Sequence, residues 1–160
     1  MFSLLSRTEE ETISLGKALG ELLLPGDVVV VTGELGSGKT RLIKGMSLGL
    51  GLLDARQVIS PTFTLLQIYE GKVPIYHMDY YRLNTKEEAL ESGLDPYEYW
   101  DGVVMVEWGE KFPELLTRPF LQVIISLISD FERMIQVKTS SDAHKIRVIE
   151  ALKEIYFGRK

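Results

Sequence analysis

The chain has 160 residues, 45% hydrophobic and 26% charged, a balance that fits one globular domain spanning 1–160 and excludes a largely disordered chain. Its formal charge of −5 argues against a broad nucleic-acid-binding face, which needs clustered lysines and arginines. The lack of cysteine excludes disulfides and thiolate-bound metals, and two histidines, His77 and His144, are too few for a histidine-built zinc site, so any metal is expected to be a hard, oxygen-bound ion. No run nears the roughly 20 apolar residues of a membrane span and the N-terminus lacks a leader pattern, so a cytoplasmic location is expected.

In chain order, Thr8-Glu9-Glu10-Glu11 is a capping-box pattern followed by Leu15, Leu19, Leu22 and Leu23 at helical spacing, which predicts an amphipathic helix from about Thr8 to Leu24. Pro25-Gly26 ends it. Val28 to Val31 is a purely β-branched run suited to a strand buried on both faces, and a glycine-rich turn from Gly33 leads into a helix carrying Leu42, Ile43 and Met46, closed by Gly49 and Gly51. Phe63 to Tyr69 and Val73 to Met78 predict a hairpin around Glu70-Gly71-Lys72. Thr85-Lys86-Glu87-Glu88 starts a short helix that Gly93 closes, and Asp95-Pro96 starts another through Trp100. Val103 to Val106 is a second apolar strand. Leu121 to Ile128 and Met134 to Lys138 form a further antiparallel pair around Ser129-Asp130, and Asp142 to Tyr156 is a closing helix. The sum is an α/β protein with a mixed, mainly parallel sheet flanked by helices and with antiparallel hairpin elements.

Gly33-Glu34-Leu35-Gly36-Ser37-Gly38-Lys39-Thr40 matches G-x-x-x-x-G-K-[ST] between an apolar strand and a helix, the context of a phosphate-binding loop. Its glycines allow backbone N–H groups to turn inward around an anion, and the following helix offers its positive end to the same charge. Lys39 supplies a point charge for the β- and γ-phosphates, and the Thr40 hydroxyl is a hard ligand for Mg²⁺. ATP with Mg²⁺ is the expected ligand.

Phosphoryl transfer also needs an acid at the end of a neighbouring strand, and Glu107, directly after Val103 to Val106, is placed for it; the alternative is a strand-end glutamate facing solvent. His77 and Asp79 stand two apart, hence on one face of a strand, where they would orient or deprotonate a water, unless His77 is only a hydrogen-bonded histidine and Asp79 is paired with Arg82. Ser60-Pro61-Thr62 reads as a switch segment or as an ordinary turn. Trp108 either covers a nucleotide or packs in the core.

Taken together, Gly33 to Thr40, Ser60-Pro61-Thr62-Phe63, His77-Met78-Asp79-Tyr80-Tyr81-Arg82 and Val106-Glu107-Trp108 closely resemble the bacterial TsaE (YjeE) family, over roughly Ser6 to Glu110. The resemblance implies a P-loop ATPase acting with a TsaD–TsaB complex in threonylcarbamoyladenosine modification of tRNAs that read A-starting codons, with tRNA contacted indirectly through the complex. It carries the catalytic roles to Asp79, Glu107 and Lys39 and the metal roles to Thr40 and Glu107. Nucleotide contacts fall on Thr12 near the base, on Gly33, Glu34, Leu35, Gly36, Ser37, Gly38, Lys39, Thr40 and Arg41, and on Trp108. Two positions depart from the family: Gly109 stands where proline is frequent, and Tyr80 where an aliphatic residue is common.

A nucleoside or small-molecule kinase is the first alternative, but its arginine-rich lid is missing, since the arginines are scattered singly from Arg7 to Arg159. A GTPase would need an Asn-Lys-x-Asp element that the chain lacks. The second alternative is a module in which ATP binding rather than hydrolysis is the signal. Lys145, Arg147, Lys153, Arg159 and Lys160 make either a modest basic surface or, with Glu150 and Glu154 interleaved, a solvated helix face.

Overall fold

The computed structural model describes residues 1–158, so Arg159 and Lys160, named above in the basic tail, lie outside the described residues. Seven strands form one sheet in the order β1-β7-β6-β2-β5-β4-β3. They are β1 (Phe2–Ser6), β2 (Val28–Thr32), β3 (Leu66–Glu70), β4 (Pro74–Asp79), β5 (Val103–Glu107), β6 (Leu121–Leu127) and β7 (Arg133–Lys138). The central four, β6, β2, β5 and β4, are parallel, and antiparallel pairings of β1 with β7, β7 with β6 and β3 with β4 extend the sheet on both sides.

Alternation along the central strands explains why their sequences are apolar throughout. Val29, Val31, Ile75, Val103 and Met105 face a core shared with α1 (Glu9–Glu21), α2 (Lys39–Gly49) and the C-terminal helix. Val28, Tyr76, Met78, Val104 and Val106 face a second core built with Tyr80, Leu83, Leu94, Phe112 and the short helix α3 (Lys86–Glu91). The departing Tyr80 is buried there and donates its hydroxyl to the Leu94 carbonyl at 2.6 Å.

Local signals set the helix ends. The Thr8 side chain accepts from Glu11 N at the start of α1, and Thr85 accepts from Glu88 N at the start of α3, as their capping boxes predict. α1 stops at Glu21, short of Pro25, because the chain must turn for Leu24 N to reach the Asp27 carboxylate at 2.8 Å. α1 and α2 pack backbone to backbone. A Cβ at Gly16 would lie 2.5 Å from the Leu42 carbonyl oxygen and one at Gly45 2.2 Å from that of Ile13, and Gly20 and Gly49 repeat the contact one turn along. This close approach seats the N-terminal end of α2 at the carboxyl end of β2.

Four elements differ from expectation, the first being the helix expected from Asp95-Pro96 through Trp100, which is only a 3₁₀ turn over Pro96–Glu98. Strand β1 had no sequence signal, because Phe2-Ser3-Leu4-Leu5-Ser6 does not alternate; pairing with β7, Phe2 opposite Val137, creates it. Strand β3 begins at Leu66 rather than Phe63, because Leu65 takes a left-handed conformation (φ 68°) and bonds back to the Pro61 carbonyl at 2.7 Å. The closing helix, α4 (142–157), is α-helical over Asp142–His144 and Glu150–Phe157 but passes through a π turn at Lys145–Ile149. That helix is anchored by Arg147, which makes two hydrogen bonds of 2.8 and 2.9 Å to buried Asp27, and His144 Nε2 lies 3.1 Å from the same carboxylate. Arg147 is thus committed to the core, and Lys145 and Lys153 lie 3.6 Å from Asp142 and Glu150, which favours the solvated-face reading of this helix.

Candidate functional site

The parallel strands β2, β4 and β5 end at one edge of the sheet, where open α/β sheets place their ligands. The loop 33–38 leaves β2 there. Gly36 (φ 78°) and Gly38 (φ 107°) adopt left-handed backbone, and a Cβ at Gly33 would lie 2.6 Å from both the Ile125 carbonyl oxygen and Ser37 Oγ. Lys39 opens α2 and is buried; its ammonium donates to the carbonyls of Gly33 and Glu34 and sits 4.4 Å above the Trp108 ring. Burial pushes the Lys39 ammonium below its ordinary pKa, and the carboxylates of Glu107, Glu110 and Asp79 oppose the shift.

Across the cleft, register places Asp79 of β4 directly beside Glu107 of β5, both almost fully buried. Thr62 Oγ1 donates to Asp79 Oδ2 at 2.9 Å and Tyr81 N to Oδ1 at 2.8 Å. Ser60 Oγ stands 3.1 Å from both Asp79 Oδ2 and Glu107 Oε2, and since it carries one proton it serves one of them at a time. The chain turns just after Pro61, over Thr62 to Thr64, and the hydroxyls of Ser60 and Thr62 on either side of Pro61 are directed at the acids. Asp79 is not paired with Arg82, whose guanidinium instead lies 4.8 Å from the Phe63 ring.

His77 is buried, with Nε2 2.6 Å from Glu107 Oε2 and Nδ1 2.9 Å from the Tyr69 hydroxyl. Enclosed on both sides, it is a hydrogen-bonded histidine rather than one facing the cleft. Trp108 takes a left-handed conformation (φ 62°) that turns its half-buried ring back over Lys39 and towards Tyr81, 5.0 Å between centroids. A Cβ at Gly109 would lie 2.9 Å from Val30 Cγ1, so a larger residue there requires the Val30 side chain to shift.

The cleft divides around Ser37 to Arg41. One lobe is lined by Lys39, Thr40, Lys44, Ser60, Thr62, Asp79, Glu107 and Trp108, with Leu35 exposed at its mouth. The other is lined by Thr8, Glu9, Thr12, Asp130, Phe131 and Arg133. Thr12 thus stands apart from the acids, and its hydroxyl is 2.7 Å from that of Ser6; Arg41 pairs with Glu9 at 2.7 Å. Nothing local in the sequence singles out Arg133. Its Nε donates to the Ser37 carbonyl at 2.7 Å and Nη1 to the carbonyls of Ser129, Asp130 and Glu132 at 3.2–3.3 Å, tying the β6–β7 turn to the glycine-rich loop.

A parallel sheet core whose strand β2 runs through a glycine-rich loop into a helix, with acids at the ends of β5 beside it and of β4 one strand further on, defines a mixed α/β fold of the P-loop NTPase-like class. The model of the family "Threonylcarbamoyl adenosine biosynthesis protein TsaE" matches residues 6–135. The chain is 39% identical over 132 residues to the tRNA threonylcarbamoyladenosine biosynthesis protein TsaE of Treponema pallidum, covering 82% of this chain and 96% of that protein. It is 43% identical over 127 residues to the TsaE protein of Bacillus subtilis, covering 79% and 78%. The crystal structure of Bacillus subtilis YdiB superposes with a TM-score of 0.80 at 33% identity, over 96% of this chain and 95% of that one. This chain belongs to the TsaE family. Among the described residues no helix is long and apolar enough to cross a membrane.

Proposed function

We propose that the chain binds ATP with Mg²⁺ at the loop 33–40 and hydrolyses it, sustaining threonylcarbamoyladenosine modification of tRNA in concert with a TsaD–TsaB complex. The observation that carries the reading is the juxtaposition of the Lys39-bearing glycine loop with Asp79 and Glu107 on adjacent strands. The names of the relatives support the pathway, and the resemblance of the motifs implies the partners.

The residues fit the ligand. A side chain at Gly33 is sterically excluded, and Ser37 Oγ is buried with no hydrogen-bond partner among the described residues, so the loop suits a phosphate better than packing. The oxygens of Thr40, Glu107 and Asp79 form a hard donor set suited to Mg²⁺. Mg²⁺ held there would neutralise phosphate charge as the leaving group departs. Lys39 supplies a second positive charge, its ammonium held in place by the carbonyls of Gly33 and Glu34. Hydrogen bonds to Glu107 fall on Oε2 among the described residues, leaving Oε1 as an acceptor, whereas Asp79 receives donors on both oxygens. Glu107 is thus the better metal acid, and Asp79, fixed by Thr62 and Tyr81 N, orients a water or a metal-bound water.

The two lobes suggest a division of labour, with the phosphates between Lys39 and the acids and the base beside Thr12, Arg41 and Arg133. The test is phosphate release from ATP by the chain alone, with TsaD–TsaB, and with TsaD–TsaB plus tRNA. Hydrolysis raised by the partners and lost in both Asp79→Ala and Glu107→Ala is expected. Turnover indifferent to partners, or seen only with a small-molecule phosphoryl acceptor, would overturn the reading in favour of a kinase.

A further inference from the structure

Behind the candidate metal acid lies a chain of buried contacts that the proposed mechanism does not use. Glu107 Oε2 meets His77 Nε2 at 2.6 Å, His77 Nδ1 meets the Tyr69 hydroxyl at 2.9 Å, and that hydroxyl lies 3.3 Å from the carbonyl oxygen and 3.4 Å from the nitrogen of Ile59. Ile59 precedes Ser60, whose hydroxyl returns to Glu107 Oε2 at 3.1 Å. The contacts close a ring running from Glu107 through His77, Tyr69 and the backbone of 59–60 back to Glu107.

Each member is held by an independent element. His77 is on β4, Tyr69 on the antiparallel β3, Glu107 on β5, and Ile59-Ser60 on the connection from α2 to β3. His77 is fully buried and Tyr69 and Glu107 nearly so. A glutamate side chain carries several rotatable bonds, and holding one of its oxygens against a buried His77 that Tyr69 fixes from behind removes much of that freedom before any cation arrives, which lowers the entropy cost of binding.

We propose that His77 and Tyr69 are positioning residues for Glu107: the Tyr69–His77 pair clamps Oε2 so that the other carboxylate oxygen is presented to the hydrated cation, and couples that acid to the Ser60–Thr62 turn. The inference rests on Glu107 being the metal acid. It predicts that the pair matters to nucleotide binding only when Mg²⁺ is present.

The amide variants separate the two ends of the clamp. Glutamine places an amide nitrogen near the histidine Nε2 position and asparagine near Nδ1. The measurement is calorimetric affinity for a non-hydrolysable ATP analogue with Mg²⁺ and with EDTA, in wild type, Glu107→Gln, His77→Gln, His77→Asn and Tyr69→Phe. Glu107→Gln should remove most of the Mg²⁺ enhancement. His77→Asn should lose roughly threefold to tenfold of it, the worth of one buried hydrogen bond, with affinity in EDTA unchanged, and His77→Gln should restore it largely. Tyr69→Phe, which removes one hydroxyl and keeps the ring, should lose a smaller part and carries the test if the histidine variants do not fold. A full enhancement in His77→Asn and Tyr69→Phe alongside its loss in Glu107→Gln would overturn the clamp while leaving the metal acid in place. Equal losses with and without Mg²⁺ would reduce the pair to general packing and also overturn it. An undiminished enhancement in Glu107→Gln would remove the metal-acid reading itself.

Discussion

Replacing Arg133 by leucine isolates the tie between the β6–β7 turn and the glycine-rich loop. The 2.7 Å bond from its Nε to the Ser37 carbonyl is charge-assisted, a kind worth about 1.5–3 kcal/mol when dry. Arg133 is only half-buried, so solvent screening reduces that to about 1 kcal/mol. Its backbone pairings with Ser6 and Leu127 do not depend on the side chain, so the strand should survive. If the tie holds the loop in its ligand-binding shape, the loss appears as a roughly fivefold weaker ATP affinity. Calorimetric titration with ATP and Mg²⁺ reads it, with circular dichroism to verify the fold. Arg133→Lys, which keeps the charge without the planar fork, should fall between. Wild-type affinity in a folded Arg133→Leu protein would refute the argument.

Other outcomes follow from the packing and charge. Gly45→Ala places a Cβ 2.2 Å from the Ile13 carbonyl oxygen and should lower the unfolding free energy by about 1–3 kcal/mol, read by urea denaturation. Tyr80→Phe removes the donor to the Leu94 carbonyl and should cost about 1 kcal/mol in the same assay with ATP affinity unchanged. Lys39 has a pKa lowered from 10.5 by burial, so between that lowered value and 10.5 the unfolded chain binds more protons than the folded one. The Lys39 contribution to stability should therefore rise with pH through this alkaline window while ATP affinity falls as the ammonium is lost. Lys39→Met should flatten both slopes.

The parts of the molecule that were legible in the sequence are those specified locally. The caps at Thr8 and Thr85, the two valine-rich strands and the loop 33–40 each carry their signal within a few residues. Asp79 and Glu107 were legible as strand-end acids, but their register as neighbours is a property of strand order. Residues joined across long separations were not legible: Arg133 and Ser37, Ser60 and Glu107, and the strand at Phe2–Ser6, whose apolar pattern acquires meaning only beside β7. A signal for the α1–α2 contact did exist in the four-residue spacing of Gly16 and Gly20 and of Gly45 and Gly49, although each glycine alone reads as a weakened helix. His77 looked equally suited to a water-activating role and to a buried hydrogen bond, and only its enclosure by Tyr69 and Glu107 separates the two.

The central claim is that the loop at Lys39 is the ATP site, and calorimetric titration of ATP with Mg²⁺ into wild type and Lys39→Ala tests it most directly. The account predicts measurable binding by the wild type and a loss of at least about tenfold in a folded Lys39→Ala protein, since an ammonium facing phosphate contributes more than about 1.4 kcal/mol. Equal affinity in the two proteins would contradict it.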